Sequence, residues 1–181
     1  KDVEICNSKF ELAVEKKLTD KPINEIISTI GKSFLETEYE AFSLEQDGEE
    51  QLVIHLSGLD CTTFLENTLT LSRCVKKQKT SFEDYQKELS FIRYRDGKID
   101  QYPSRLHYFS DWIFNNTQEG IVKDVTKEIG GEPTQFNVFF MSQNPDKYKH
   151  LTKTPSFIPI IAKQEKAINK RKYFFIPKEK V

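Results

Sequence analysis

An α+β fold with its helices ahead of its strands is what this sequence predicts, and three patterns carry that expectation. Apolar residues recur at helical spacing over Phe10 to Leu18 and again over Ile23 to Phe34. A β-patterned run, Leu52-Val53-Ile54-His55-Leu56, leads through a glycine break into a second long helical stretch that opens at Cys61. Two later runs, Gln135 to Met141 and Tyr173 to Ile176, have the composition of strands.

The elements follow in order. Phe10 to Leu18 reads as a short amphipathic helix, and after Lys21-Pro22 a second helix places Ile23, Ile26, Ile27 and Ile30 on one stripe. Glu36 to Phe42 reads as a loop, and Asp47-Gly48 marks a turn before the Leu52 strand. Asp60 is a favoured N-cap residue, so a helix runs from Cys61 to near Val75 with Phe64, Leu65, Thr68, Leu69 and Ser72 at helical spacing. Ser81-Phe82-Glu83-Asp84 has the form of a capping box ahead of a helix carrying Phe82, Tyr85, Leu89 and Ile92. Arg95 to Lys98 is a turn, and Leu106, Phe109 and Ile113 define a further helix with Ser104 as its cap. Val122 to Ile129 is a strand or a helix closed by Gly130-Gly131. Asn144-Pro145 opens a loop that runs through Pro159, ahead of a helix over Ala162 to Asn169 and the closing strand at Tyr173.

Composition narrows the class of function. The 181 residues are enough for one domain with a real core, here divided into an N-terminal helical extension over residues 1–30 and a main domain over 31–181. With 27 basic and 28 acidic residues the net charge is −1, and nothing calls for nucleic acid. Basic residues do dominate late in the chain, at Lys163, Lys166, Lys170, Arg171, Lys172, Lys178 and Lys180, which fits a solvated helix face or a groove for a polyanion. No apolar run is long enough to span a bilayer. The chain starts at Lys1 and has its one methionine at Met141, which reads as a processed product and is compatible with a removed export signal. A monomer is expected.

The chemistry centres on Cys61. At the start of a helix, orphan N–H groups and the positive end of the dipole favour a thiolate, so a cysteine just after an N-cap is a candidate nucleophile; it equally suits a buried structural role. Cys61 and Cys74 lie thirteen positions apart on one predicted helix. At 1.5 Å per residue that is roughly 20 Å, far beyond disulfide reach, so any bridge involves Cys6. His107 and Asp111 fall one turn apart on the Leu106 helix, a spacing that suits a general base with its orienting partner, or a polar patch fixing the helix to a loop. Tyr108 and Trp112 suit a sugar or peptide groove, or a buried aromatic cluster.

Three segments carry a family resemblance. Gly58-Leu59-Asp60-Cys61-Thr62-Thr63-Phe64-Leu65-Glu66-Asn67 resembles the nucleophile segment of the NlpC-type cell-wall cysteine peptidases, in the N-acetylmuramoyl-L-alanine amidase-like subfamily. Ser104 to Trp112 and Gly120 to Asp124 are similar to that subfamily too, so the likeness runs from about Gly31 onward. It implies a papain-like fold in which the helix bearing the cysteine packs on an antiparallel sheet. It also implies a Cys61 nucleophile that hydrolyses an amide bond in peptidoglycan stem peptides or muropeptides, with no cofactor or metal, in the periplasm or cell envelope. Asp60 and Tyr39 match the positions that receive the substrate's free amine, and His107, Tyr108, Asp111 and Trp112 are carried as substrate contacts. The Glu36-Thr37-Glu38-Tyr39 stretch departs from the Gly- and Pro-containing turn of similar proteins. The family's catalytic histidine follows on a sheet strand of Ser-His-Val-Gly type, and this chain has no such segment; the expectation is a chain that holds the nucleophile without its C-terminal base. Two further readings stay open: a non-catalytic module binding cell-wall peptide or glycan, and a glycoside hydrolase with Tyr108 and Trp112 as its aromatic platform.

Overall fold

Ile26 and Ile30, both fully buried, are the centre about which the first helices assemble. The structure, a computed structural model, describes residues 1–135 and 137–180. Its contacts divide the chain into two units, Lys1–Ile99 and Asp100–Val181, rather than at residue 30.

The first unit holds α1 (Asp2–Glu15), α2 (Ile23–Lys32), β1 (Glu38–Tyr39), β2 (Gly58–Leu59), α3 (Cys61–Lys76) and α4 (Phe82–Arg93). Its first thirty residues are part of the core rather than an extension. Cys6, Phe10 and Ala13 of α1 and Ile26 and Ile30 of α2 pack in one cluster with Leu71, Cys74 and Val75 of α3 and Tyr85 and Leu89 of α4. α1 begins well before Phe10, with Asp2 and Glu4 in its first turn complementing the dipole, and stops before Leu18, which falls in a 3₁₀ turn after Lys17 takes a left-handed φ of 52°. Ser81 and Asp84 make the expected capping box of α4.

Two expectations are corrected here. Leu52 to Leu56 is not a strand, because its backbone groups are satisfied by side chains instead of a ladder. The Leu56 N–H donates to Asp2 Oδ1 at 2.7 Å, the Val53 carbonyl accepts from Arg93 Nη1 at 2.5 Å, and the Gln51 carbonyl accepts from the Tyr94 hydroxyl at 2.9 Å. The strand pairing lies beside it, where β2 runs parallel to β1, inside the stretch expected as a loop. The second correction concerns what α3 packs on. Among the described residues of this unit no antiparallel sheet lies under it; α3 packs on α1, α2 and α4. The α3–α4 seam is polar as well as apolar. Glu66 and Arg93 pair at 2.7 Å with their side chains 3% exposed, and the Tyr85 hydroxyl donates to Asn67 Oδ1.

The second unit holds α5 (Phe109–Gln118), β3 (Glu132–Thr134), α6 (Phe140–Gln143), α7 (Lys149–Lys153), α8 (Ile158–Asn169) and β4 (Tyr173–Phe175). Its core gathers Tyr102, Met141, Leu151 and Ile161, and β3 pairs antiparallel with β4. Ser104 caps a 3₁₀ turn over Tyr102–Ser104 instead of α5: its hydroxyl donates to the Gln101 carbonyl at 2.7 Å and accepts the Asp100 N–H at 2.9 Å. α5 therefore starts late, at Phe109, and His107 is not on it. Residues 122–129 are neither strand nor helix: 122–125 are irregular and 126–129 form a turn, closed by Gly130 at φ 95°. The strand expected over Gln135 to Met141 is not formed over 137–139, where the Asn169 side-chain amide takes both backbone groups of Val138; Phe136 lies outside the described residues. α8 begins ahead of Ala162, with Pro159 in its first turn where a missing N–H costs nothing. Lys163 and Lys166 are exposed on α8 while its one acid, Glu165, is buried, which is the pattern of a solvated helix face.

Candidate active site

Asp60 decides where α3 begins. Its backbone is extended, and its Oδ1 accepts the Thr63 N–H at 2.7 Å and the Thr63 hydroxyl at 2.8 Å. The Thr63 hydroxyl in turn accepts the Asp60 N–H at 2.9 Å, which closes a capping box with threonine in the place usually held by Glu or Gln. Cys61 is thereby fixed as the first helical residue, with an exposed, unbridged thiol. The N–H groups at such a position have no intrahelical acceptor and face outward with the positive end of the dipole. Oδ2 of Asp60 has no partner among the described residues, so the cap leaves half of the carboxylate available to a cation.

The other two cysteines are of a different kind. Cys6 and Cys74 are free but sit at 0% and 2% exposure in the core of the first unit, and burial pushes each thiol up to about 12. They stay protonated and inert at neutral pH.

Cys61 opens onto a concavity of about 260 Å³ lined by Phe34, Thr37, Tyr39, Leu59, Asp60, Cys61 and Phe64. Phe34 and Phe64 meet edge to face at 6.3 Å and form its apolar wall. Tyr39 reaches it by way of the parallel pairing: Tyr39 is in register with Leu59, and the Glu40 N–H donates to the Leu59 carbonyl at 3.2 Å. On either side of β1 the backbone turns through left-handed conformations, at Glu36 (φ 69°) and Phe42 (φ 61°), so a turn of the kind glycine usually makes is here made with larger residues.

The structure thus brings Tyr39, Asp60 and Cys61 together, while His107, Tyr108, Asp111 and Trp112 do not line this concavity. In the second unit His107 Nε2 donates to the Tyr102 carbonyl at 2.9 Å and its ring lies 4.3 Å from that of Tyr102. The Tyr108 hydroxyl donates to Glu165 at 2.7 Å, and burial pushes it well above the usual tyrosine range. The Asp111 carboxylate accepts from Arg171 at 2.6 Å, and Trp112 is buried against Phe109. All four make these contacts within the second unit. His55 belongs to the first unit, where its Nε2 donates to Glu40 Oε2 at 2.8 Å. Sequence reasoning missed the walls, Phe34, Thr37, Leu59 and Phe64; the signal available was Phe64 one turn beyond Cys61, on the same side of α3. Among the described residues no group of three or more His, Cys, Asp or Glu side chains is placed to hold a metal ion, and no helix is long and apolar enough to cross a membrane.

Residues 29–181 match the family model of the N-acetylmuramoyl-L-alanine amidase-like proteins. A search of curated proteins gave no match. Among solved structures, an N-acetylmuramoyl-L-alanine amidase from Bacteroides uniformis is 35% identical with a TM-score of 0.83, over 88% of this chain and 66% of that one. A Bacteroides fragilis protein provisionally described as a xylanase is 40% identical with a TM-score of 0.78, over 83% of this chain and 66% of that one. A Legionella pneumophila protein, 21% identical with a TM-score of 0.63 over 94% of this chain and 60% of that one, shares the fold. The chain therefore spans a little under two thirds of the length of these relatives.

Proposed function

The chain belongs to the N-acetylmuramoyl-L-alanine amidase-like family, and on that footing we propose that it is the nucleophile-bearing part of a cell-wall hydrolase that cleaves an amide bond of the peptidoglycan stem peptide through Cys61. The observation that carries this reading is the exposed thiol at the first residue of α3, sharing one small concavity with Asp60 and Tyr39. The Cys61 thiolate attacks the amide carbonyl carbon, and the first-turn N–H groups of α3 stabilise the oxyanion. The C–N bond breaks as the leaving amine takes a proton, and water then releases the carboxylate from the thioester. Asp60 Oδ2 and the Tyr39 hydroxyl receive an ammonium group, and the Phe34–Phe64 wall takes a small apolar side chain. At about 260 Å³ the concavity suits one residue of a peptide rather than a run of sugars.

His55, the histidine of the first unit, is not among the residues that line the concavity, and the base and acid is proposed to be a histidine carried in the part of the relatives that this chain does not span. A place in the cell envelope belongs to the same proposal. A glycoside hydrolase needs two carboxylates facing one cleft, and among the described residues Asp60 is the one carboxylate lining this one.

The test is digestion of purified peptidoglycan by the full-length protein, following new amino termini and reducing sugars separately. New amino termini that disappear in Cys61→Ala support the assignment. Amide cleavage that survives Cys61→Ala, or release of reducing ends alone, overturns it. Loss of cleavage in His107→Ala, with folding intact, would instead make His107 the base.

A further inference from the structure

Next to Tyr39 in the chain, Glu40 makes a side-chain hydrogen bond with His55 that nothing in the proposed reaction uses. Glu40 Oε2 and His55 Nε2 are 2.8 Å apart, and they close over Gly58. A Cβ at position 58 would stand 2.3 Å from Glu40 Oε2, 2.9 Å from Glu40 Cβ and 2.9 Å from His55 Nε2, so the pair fits only because residue 58 has no side chain. Gly58 does not have a left-handed backbone, so the requirement for glycine here is one of space. The three residues sit at the point where β1 meets β2: Glu38 is in register with Gly58, Tyr39 with Leu59, and the Glu40 N–H donates to the Leu59 carbonyl. Two residues of pairing are too few to hold a strand by themselves. A side-chain tie from Glu40, one residue from Tyr39, to His55, six residues before Cys61, adds the missing restraint.

We infer that Glu40 and His55, closed across Gly58, are positioning residues that hold Tyr39 at the Cys61 turn and so set the amine-receiving side of the concavity. The inference rests on the reading of Tyr39 and Asp60 as the groups that receive an ammonium. It extends that reading to residues that touch no substrate. Both side chains are partly exposed, at 32% and 51%, so the tie is worth little as stability and acts through geometry.

The test is calorimetric binding of the dipeptide L-Ala-γ-D-Glu, with a free amino terminus and with an acetylated one, to Cys61→Ser protein and to the same protein carrying further substitutions. Tyr39→Ala and Asp60→Asn should abolish the preference for the free amine. Glu40→Ala, His55→Ala and Gly58→Ala should each weaken free-amine binding by up to about fivefold, the range of one partly exposed polar pair, with no change for the acetylated form. Glu40→Gln keeps a hydrogen-bond acceptor and should restore most of the loss. Because Gly58→Ala acts by expelling the pair, Gly58→Ala with Glu40→Ala should lose no more than either alone. The rate of Cys61 alkylation by iodoacetamide, measured with cysteine in place, should be the same in all the clasp variants. Unchanged free-amine binding in Glu40→Ala and His55→Ala, alongside a loss in Tyr39→Ala, overturns the clasp and leaves the site reading standing. Binding that ignores Tyr39→Ala and Asp60→Asn as well overturns both.

Discussion

Three cysteines in one unit have different prospects, and the difference is position. Cys61 stands at the open end of α3, whereas Cys74, on the same helix, and Cys6, on α1, are enclosed by the core. Titration of the native protein with an aromatic disulfide at pH 7 should therefore report Cys61 alone, and Cys61→Ala should abolish that signal, with Cys6 and Cys74 reacting only after unfolding. Prompt reaction of a second thiol would contradict the burial. The same two residues fix a sign at alkaline pH. Their folded values, about 12, lie above the ordinary thiol value of about 8.5, so the unfolded chain gives up protons first as pH rises. Stability from each is complete below about pH 8.5 and is lost on the way to pH 12, on the order of 1–2 kcal/mol per thiol by pH 10. A urea midpoint followed from pH 7 to 10 should fall less in Cys74→Ala than in the parent. Asp60 can be separated into its two roles as well. Asparagine caps a helix as well as aspartate, so Asp60→Asn should keep the thermal midpoint while weakening binding of an amine, whereas Asp60→Ala should also lose about 1 kcal/mol of stability.

At the scale of elements, what was legible in the sequence was what local chemistry decides. Asp60 and Ser81 announced the starts of α3 and α4 because a cap is a contact between near neighbours; the Ser81 box is made as read, and Asp60 caps α3 in a box completed by Thr63. Leu52 to Leu56 misled because strand composition says nothing about a partner, and Asp2, Arg93 and Tyr94, distant in sequence, take its backbone groups. The same holds for Val138, whose backbone belongs to Asn169. His107 was placed on a helix by the spacing of Leu106, Phe109 and Ile113, but the hydroxyl of Ser104 is spent on its own turn. Of the site, Cys61, Asp60 and Tyr39 were legible and are brought together, while the apolar wall forms where Phe34, in the turn after α2, meets Phe64 of α3 in space. The seam between α3 and α4 supplies a prediction of its own. Glu88 accepts from Arg73 at 2.5 Å and from Lys77 at 2.6 Å. Burial alone would raise its carboxyl, but the two cations outweigh that and hold it below the usual range. A depressed carboxyl contributes stability above the unfolded value, near 4.3, and loses it as pH falls through the folded one. Glu88→Gln should accordingly be less stable than the parent at pH 7 and should show a flatter loss of stability between pH 5 and pH 2, as followed by urea midpoints. An unchanged acid slope would show that Glu88 is not paired in solution.

At the scale of the whole chain there are two units, and their apolar clusters among the described residues differ in size. In Lys1–Ile99 four helices of ten to sixteen residues close on a continuous apolar cluster that runs from Cys6 to Leu89. In Asp100–Val181 the cluster of Tyr102, Met141, Leu151 and Ile161 is held by α6 and α7, of four and five residues, which have no helical stability apart from their packing. Much of the rest is polar: Glu165, 2% exposed, accepts from the Tyr108 hydroxyl, the Ser142 N–H and the Ser142 hydroxyl, and Asp111 is tied to Arg171. A satisfied buried polar network fixes one arrangement but adds less net free energy than apolar burial of the same area. The second unit should therefore open at lower denaturant than the first. The chain provides one reporter for each: Trp112, its single tryptophan, is buried in the second unit, and the Cys6 and Cys74 thiols are buried in the first. In a urea titration with Cys61 changed to serine, the tryptophan emission should shift at a lower midpoint than that at which the two thiols become reactive. Coincident curves would mean that the units unfold as one, and that the second draws its stability from more than its own core.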